Sequence, residues 1–378
     1  PNDTRVAEWL GRSYLQSGYE DTALSIIEGL IDHDAGTPLL QDLVDTIRAR
    51  QGLQMELAEE TRYVPAFTLT GVRDEHTLFS RPASLYARGD GSYYLTSFAG
   101  NQVLRINANG SIRQRFLGGL QGLDHPFDVL EVDGYVFVTE FLGNSVYRST
   151  IDGTGGVRFG TKGTGEGDLI GPQYLAAHRG HLYVTETGNR RVSKFDYEGN
   201  FVLSFGQRSA AYPGMKSPTG ICVHQGLVYV ADGQEKKISV FDQSGNFLYT
   251  VGEDVLIGPE GISVYDDDTL LVADTRRVLA FDVETEHFRV LADLGGEANR
   301  ITKAVRDING GIAVADFNRN TVTMLTDMSN LYTSLSVQFQ RVLSDDFPTV
   351  YLELTVEDRM GNPYVGLDES NFVISEFW

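Results

Sequence analysis

PQYLAAHRGHLYVTETGNRRVSKFDYEGNFVLSF, residues 172–205, contains four short runs of apolar or alternating character with a turn signal between each pair. The turns are marked by Gly180, by Gly188 and by the Glu-Gly-Asn sequence at residues 198–200. Runs this short, bounded by Gly and Asn, are typical of β-strands that pair with their neighbours in the chain. The stretch therefore predicts an antiparallel sheet of four strands.

The chain repeats this unit. Copies begin with proline at residues 82, 126, 172, 218 and 259, and residues 301–316 form a sixth copy without the proline. The prolines are 44, 46, 46 and 41 residues apart. A four-stranded unit at this period is typical of a β-propeller blade. The sequence predicts a mainly β fold, with a six-bladed propeller over residues 61–337.

One strand stands apart from these copies. The alternating stretch Tyr63–Thr70 begins 19 residues before Pro82, and the fourth strand of the third copy begins 17 residues before Pro218. We therefore expect this stretch to be the outer strand of the sixth copy, which would close the ring and remove an open sheet edge. Residues 331–337 are the alternative. If its ring is buried, replacing Phe67 by alanine should cost about 3 kcal/mol.

Composition excludes some classes of function. The net charge is −21 and no cluster of Lys and Arg stands out, so nucleic acid is not an expected partner. No apolar run approaches the roughly 20 residues of a membrane span. Residues 251–300 hold 12 acidic and 4 basic side chains, which predicts a solvated face or a site for a basic partner. Cys222 lies in an apolar run and is expected to be a buried structural thiol.

The amino-terminal segment, residues 1–60, has helical rather than strand periodicity. Apolar residues from Val6 to Leu30 fall at helical spacing that is interrupted at Gly18, which predicts two antiparallel helices. Thr37 and Pro38 are expected to begin a third. Residues 4–37 resemble a tetratricopeptide repeat in the spacing Leu-Gly-x2-Tyr-x3-Gly-x4-Ala, and that resemblance implies a surface for protein partners.

The propeller resembles a second family. The series Pro-x-Gly-Ile, Val-Tyr-Val-Ala-Asp, Ile-x-Val-Phe-Asp and Gly-Asn-Phe in residues 218–247 is similar to that of NHL-repeat propellers. The resemblance covers residues 63–337 and implies the fold. It leaves function open, because that family includes scaffolds, sensor domains and some enzymes.

The tail, residues 338–378, breaks the repeat and is expected to be β-rich, with strands at residues 350–356 and 372–374. It resembles the strand-rich segment that precedes von Willebrand A domains in some bacterial proteins, and the chain ends about where that domain would begin. The Asp-x-Ser-x-Ser metal motif of such a domain is not matched at Asp368. We therefore expect the chain to be part of a longer parent, from which any targeting segment is missing.

An acidic residue recurs once per copy at the end of the second strand. We expect its carboxylate to accept backbone N–H groups across the tight turn that follows, rather than to bind a metal. The five recurrences are Glu140, Glu186, Asp232, Asp274 and Asp316.

Residues near the start of each first strand are the candidates for a binding site at the mouth of the central channel. They are Asp128, Gln173, Thr219, Glu260 and Lys303, with His125 just before the second copy. Two carboxylates, an amide and an imidazole are able to hold a hard cation such as calcium, or to activate water on it. No histidine ring and no Ser-His-Asp order supports catalysis, so no catalytic residue is assigned.

The function predicted from sequence is that of a non-catalytic scaffold for protein partners, without a cofactor. The alternative is a metal-dependent lyase or hydrolase with its site at the channel mouth. On the scaffold hypothesis, the double substitution of Asp128 by asparagine and Glu260 by glutamine should leave folding intact. The combination of resemblances implies a bacterial protein of the periplasm or cell envelope, with the cytoplasm as the alternative.

Overall fold

The computed structural model describes residues 4–17, 19–31, 40, 44, 47, 63–73, 76–107, 110–210, 212–327, 336–343, 350–357 and 363–367. The chain divides into two compact units, residues 1–62 with 326–365 and residues 63–325 with 366–378. The division into segments 1–60, 61–337 and 338–378 stays a prediction.

The first unit begins with two helices, α1 (Thr4–Gln16) and α2 (Glu20–Leu30). They approach closely at Gly11, which has no side chain. A Cβ atom at that position would lie 2.9 Å from the Ile27 Cγ1 atom, so a larger residue would force one of the helices to shift. Neither helix is long and apolar enough to cross a bilayer. The buried side chains of this small core come from α2 and from helical residues that follow it: Leu24, Ile27, Leu30, Leu40, Val44 and Ile47.

Two expectations for this segment differ from the structure or lie outside it. Leu10 was placed on the apolar face by its spacing but is 47% exposed, because α1 packs through Ala7 and Leu15 instead. The start of the predicted third helix at Thr37 and Pro38 lies outside the described residues.

The second unit begins with an outer strand, β1 (Tyr63–Thr70), and a short hairpin of β2 (Val72–Arg73) and β3 (His76–Thr77). The first three blades are β4 (Pro82–Ala87), β5 (Tyr93–Ser97), β6 (Gln102–Ile106) and β7 (Ile112–Phe116); β8 (Pro126–Val132), β9 (Tyr135–Glu140), β10 (Ser145–Thr150) and β11 (Val157–Phe159); and β12 (Pro172–His178), β13 (His181–Glu186), β14 (Arg191–Asp196) and β15 (Phe201–Phe205). The next three are β16 (Pro218–His224), β17 (Leu227–Asp232), β18 (Lys237–Asp242) and β19 (Phe247–Val251); β20 (Pro259–Val264), β21 (Thr269–Asp274), β22 (Arg277–Asp282) and β23 (Phe288–Asp293); and β24 (Ile301–Arg306), β25 (Ile312–Asp316) and β26 (Thr321–Asp327), completed by β1.

The blades form a closed ring around a channel. Each blade is a sheet of four strands, which follow sequence order in blades 1 to 5, whereas blade 6 takes its outer strand from β1. The innermost strand of every blade contacts the innermost strand of the next, and β24 contacts β4. Apolar clusters fill the spaces between neighbouring blades, so the inner strands are covered on both faces. This explains why runs such as Leu-Val-Tyr-Val-Ala-Asp in β17 are apolar throughout and almost wholly buried. The prediction of a six-bladed propeller is confirmed.

The closing strand lies where the sequence predicted it. The sheet order β1-β26-β25-β24 makes β1 the outer strand of blade 6. The Tyr63 hydroxyl lies 2.8 Å from the Tyr265 hydroxyl and donates to the Gly310 carbonyl at 2.9 Å. The alternative, residues 331–337, lies partly outside the described residues, and residues 336 and 337 belong to another strand pair.

The condition for a large cost at Phe67, burial of its ring, is not met, because that ring is 48% exposed while Leu69 in the same strand is 7% exposed. We now expect the Leu69→Ala variant to lose about 2–4 kcal/mol of stability and the Phe67→Ala variant less than about 1 kcal/mol. Urea unfolding of the two variants measures both losses. Equal losses would mean that the Phe67 ring is as buried as the Leu69 side chain, contrary to their exposures.

The recurring acidic residue binds backbone N–H groups, as predicted. In blade 4, Asp232 accepts from the N–H groups of Lys216, Ser217, Gln234 and Glu235 at 2.6–3.1 Å. The carboxylate thus ties the loop that enters the blade to the turn that leaves its second strand. Blade 1 places Ser97 here, and its hydroxyl accepts from the Ser80 N–H at 2.8 Å.

The described part of the tail contains one hairpin, which belongs to the first compact unit. It consists of β27 (Ser336–Leu343) and β28 (Tyr351–Glu357), which pair antiparallel. The predicted strand at residues 350–356 therefore exists, shifted by one residue. The predicted strand at residues 372–374 lies outside the described residues.

Candidate functional site: the mouth of the channel

Two residues of each blade meet where the inner strands begin. We call the residue before each inner strand the lip residue, and the residue after the second strand the turn residue. In blades 1, 2, 3, 4 and 6 the turn residue donates its N–H to the lip carbonyl of the same blade at 3.0–3.3 Å. From blade 1 to blade 6, the lip residues are Arg81, His125, Gly171, Ser217, Gly258 and Arg300, and the turn residues are Phe98, Phe141, Thr187, Gly233, Thr275 and Phe317.

These twelve positions divide the mouth into two unequal halves. In blades 6, 1 and 2 every one of them carries a large cationic or aromatic side chain, whereas in blades 3, 4 and 5 every one is Gly, Ser or Thr. A Cβ atom built on Gly233 would have its nearest neighbour at 3.4 Å, an ordinary contact distance, whereas one built on Gly171 would lie 3.2 Å from the Phe141 ring. The mouth therefore has large side chains on one side, which we call the wall, and small ones on the other, which we call the cleft.

The wall is a connected cluster of rings. The ring of Phe98 lies with its centroid 4.9 Å from that of His125, 5.3 Å from that of Phe317 and 6.0 Å from that of Phe141. The guanidinium carbons of Arg81 and Arg300 lie 5.7 Å and 5.1 Å from the centroid of Phe317. Two guanidinium groups thus contact one phenyl ring at the edge of the cleft. A cation placed over an aromatic face is attracted by the ring, which stabilises both arginine side chains there.

The second residue of each inner strand lies below the lip. On the cleft side these residues are polar, and we call them the floor: Gln173, Thr219 and Glu260. On the wall side they are Ala83, Phe127 and Thr302. Thr219 donates to the Pro259 carbonyl of the next blade at 2.9 Å. Gln173 is 8% exposed, and within the described part of the chain its Oε1 atom has no hydrogen-bond partner.

Glu260 has a cation and a hydroxyl as partners. Its Oε1 atom accepts from Arg300 Nε at 2.8 Å and lies 2.7 Å from Arg300 Nη2, and its Oε2 atom lies 3.2 Å from the Tyr174 hydroxyl. Burial raises the pKa of the Glu260 carboxyl, and the Arg300 charge opposes that shift. Burial also raises the pKa of Tyr174, whose hydroxyl donates to the Thr302 carbonyl at 2.8 Å.

A second ion pair lies deeper, at the third residue of two inner strands. Asp128 is 1% exposed and accepts from the Ser84 hydroxyl and from the N–H groups of Val129 and Leu175. Its Oδ2 atom lies 3.9 Å from Lys303 Nζ, which also donates to the Ile262 carbonyl at 3.2 Å. This pair spans blades 2 and 6. Because the pair is buried, we expect the Asp128→Asn part of the double substitution to lower stability even where folding is kept.

The predicted site residues therefore occupy three levels of the channel. His125 is a lip residue whose Nδ1 atom lies 2.8 Å from Asp124 Oδ1, Gln173 and Glu260 belong to the floor, and Asp128 and Lys303 lie below it. The proposed calcium site does not fit, because each carboxylate already has a cationic partner and Lys303 contributes a positive charge beside Asp128. Among the described residues, no group of three His, Cys, Asp or Glu side chains is placed to hold a metal.

Sequence reasoning missed the wall. Of the lip residues, only His125 was predicted as a site residue, and none of the turn residues was. Both positions are visible in an alignment of the six copies, because each has a fixed offset from its strand. The signal was the run of large residues in three consecutive blades.

The acidic stretch at residues 251–300 does not form a single face. Glu260 and Asp274 point inward, while residues 266–268 with Glu284 and Glu286 are exposed at the end of blade 5 opposite the mouth. Glu253, Asp254 and Glu297 are exposed at the mouth end. A basic partner would meet two separate acidic groups rather than a continuous surface.

Comparisons with solved structures show the fold. The chain is similar to a streptogramin B lyase (12% identity, 70% of this chain and 98% of that one, TM-score 0.55) and to a protein of unknown function from Bacteroides thetaiotaomicron (13%, 66% and 70%, 0.54). It is also similar to a catalytically inactive virginiamycin B lyase from Staphylococcus aureus with quinupristin (18%, 64% and 79%, 0.50). No protein-family model and no curated protein sequence matches the chain. At these identities, the likeness shows that the chain folds as a β-propeller.

Proposed function

We propose that this protein is a non-catalytic recognition scaffold whose propeller binds a protein partner at the mouth end. The observation that carries the proposal is the pairing of both axial carboxylates: Asp128 with Lys303, and Glu260 with Arg300. A carboxylate that already has a cationic partner and hydrogen-bond donors is poorly suited to bind a metal. The same mouth presents a large wall beside a cleft, which suits binding.

Exposed apolar side chains extend the wall outward. Leu117 and Leu120 belong to the loop that enters blade 2, Leu142 belongs to the next turn of that blade, and all three are more than half exposed. Arg158 donates to the carbonyls of Gly118 and Gly122 and so holds the loop on blade 2. Exposed apolar groups that adjoin a wall of rings are typical of a binding surface.

Charge complementarity indicates an acidic partner segment. Arg81 and Arg300 stand at the lip, and the turns of blades 3 to 6 each add an exposed cation, although the whole chain carries −21. Of the exposed acids at this end, Glu253 and Asp254 follow the outer strand β19, whereas Asp124 lies beside the lip residue His125 and is paired with it. The four turn cations are Arg190, Lys236, Arg276 and Arg319.

The finer assignments belong to the same proposal. On the resemblances, the propeller is of the NHL type, α1 and α2 form a tetratricopeptide-like repeat, and the tail is the segment before a von Willebrand A domain. Each is a surface for proteins, which supports a scaffold that combines several binding modules. A location in the periplasm or cell envelope fits such a scaffold, with the cytoplasm as the alternative.

The test uses a substitution at each end of the propeller. A variant with Leu120→Asp and Leu142→Asp should lose at least tenfold of any partner that the unmodified protein captures from an extract of its source cell, measured by quantitative mass spectrometry. The matched control is Ile308→Asp, since Ile308 is 54% exposed in a turn at the opposite end. Equal loss in both variants, or capture that neither variant changes, would contradict binding at the mouth end.

A lyase is the second candidate, and one observation favours it. Glu260 combines a raised pKa with a hydrogen bond to Tyr174 beside a cleft, an arrangement seen in residues that transfer protons. The solved relatives that bear the name lyase add only their fold. The two candidates make opposite predictions for turnover.

We expect the purified protein to leave quinupristin intact over hours, as followed by liquid chromatography and mass spectrometry, because the Glu260 carboxylate is paired with Arg300. The Glu260→Gln variant is the control that separates this carboxylate from a contaminant. Conversion by the unmodified protein that disappears in the Glu260→Gln variant would establish the lyase and refute the scaffold.

A further inference from the structure

We propose that the cleft at the mouth binds the free carboxyl terminus of the partner, with the terminal carboxylate at Arg81 and Arg300 and the terminal side chain against the ring of Phe98. The inference rests on the proposed function, since it names the part of the partner that the mouth recognises. Its chemistry is tested separately, with a small probe.

The first step is the pair of guanidinium groups. Arg81 is exposed and has no ion pair among the described residues, and the described bonds of Arg300 to Glu260 use Nε and Nη2, which leaves Nη1 for a ligand. The two guanidinium carbons lie 5.7 Å and 5.1 Å from the Phe317 centroid, so the like charges are less than about 11 Å apart, and an anion bound nearby lowers their mutual repulsion. A planar carboxylate matches the planar donor fork of arginine.

The second step is independent of charge. The Gln173 Oε1 atom is buried, lacks a partner within the described structure, and belongs to the same floor position as Glu260, which reaches Arg300 at the lip. A buried acceptor without a partner is costly, so it calls for a donor from a ligand or water. A peptide N–H adjacent to a terminal carboxylate is such a donor.

The third step is the shape of the mouth. The phenyl ring of Phe98 is partly buried beside that of Phe317, which is 8% exposed, and the lip and turn residues of blades 3 to 5 opposite them are small. A flat or branched apolar side chain fits between them. Carboxylate, N–H and apolar side chain are together the features of a blocked amino acid with a free carboxyl group.

The probe is therefore N-acetyl-L-phenylalanine, compared with its amide and with N-acetylglycine by ligand-observed NMR titration. We expect a Kd of about 1 mM for the acid, in line with the affinity of small ligands. Both the amide, which lacks the charge, and N-acetylglycine, which lacks the ring, should bind at least tenfold more weakly. Raising the salt concentration should weaken binding of the acid only, because salt screens exposed charges.

The variants isolate the lip. Arg81→Asn should weaken binding of the acid at least fivefold, while Arg190→Asn should change it less than twofold. The two positions are matched, because both residues are exposed and have φ values of 54° and 53°, a conformation that asparagine tolerates. Equal binding of acid and amide, equal effects of the two variants, or displacement of the acid by equimolar inorganic phosphate would overturn the inference.

The outcome is separable from that of the scaffold proposal. If the probe binds as expected but partner capture does not depend on Leu120 and Leu142, the scaffold proposal fails and the carboxylate site stands. If capture depends on those leucines but the acid and amide bind alike, the carboxylate site fails and the scaffold stands.

Discussion

Removal of residues 1–70 is expected to lower the melting temperature of the propeller by more than about 10 °C relative to a chain that begins at Tyr63. The two chains differ only in β1 and Gly71 remains in both, so the comparison measures what this strand contributes to blade 6. Loss of the buried side chains Tyr63 and Leu69 alone removes about 5 kcal/mol or more. In a domain of this size each kcal/mol shifts the melting temperature by about 2–4 °C.

The deletion also exposes the edge of β26, which then offers unpaired backbone groups to other chains. We therefore expect the shorter chain to aggregate during heating, as light scattering would show, while the chain that begins at Tyr63 melts without it. Identical melting of the two chains would refute the role of β1 in closing the ring.

The second large effect is expected at Asp128. Replacing it by asparagine should cost about 3 kcal/mol, because Lys303 then remains buried without its counter-charge. The matched control is Asp133→Asn, an exposed turn residue whose replacement should change stability by less than about 0.5 kcal/mol. Urea unfolding measures both, with the slope m as a check that the variants remain two-state.

The partner substitution completes a thermodynamic cycle. Lys303→Met should also destabilise, and adding it to Asp128→Asn should cost less than the sum of the two single changes by at least about 1 kcal/mol. Additive costs would mean that the two side chains do not interact, and that the 3.9 Å separation of Lys303 Nζ from Asp128 Oδ2 contributes nothing.

The fold was predictable because its information is local. Each blade pairs strands that are neighbours in the chain, so a period of 41–46 residues and the proline at the start of each copy were enough to count the blades. The position of β1 followed from its offset before Pro82. Which residues of β1 are buried did not follow, because Phe67 and Leu69 are two residues apart and share a face of the strand, yet only Leu69 is buried. That difference depends on what packs against each position of the outer strand.

The candidate site was predictable only in part. Gln173 and Asp128 were both predicted as residues near the start of an inner strand. Gln173 is the second residue of β12, whereas Asp128 is the third residue of β8. This difference of one position places Gln173 in the floor and Asp128 below it. The pairing of Asp128 with Lys303 joins residues 175 positions apart, and no local pattern encodes such a distance. The wall likewise depends on which blades stand side by side once the ring has closed.

The strand that closes the ring also decides how the propeller responds to force. Residue 62 leads into β1, and the chain leaves the same sheet through the adjacent strand β26. A pull on the two flanking segments is therefore applied to neighbouring strands of blade 6, and it reaches the other five blades only after those strands have separated. We therefore expect the hydrogen-bonded pairing of β1 with β26 to break first under tension. It can re-form afterwards, because the remaining blades keep their structure.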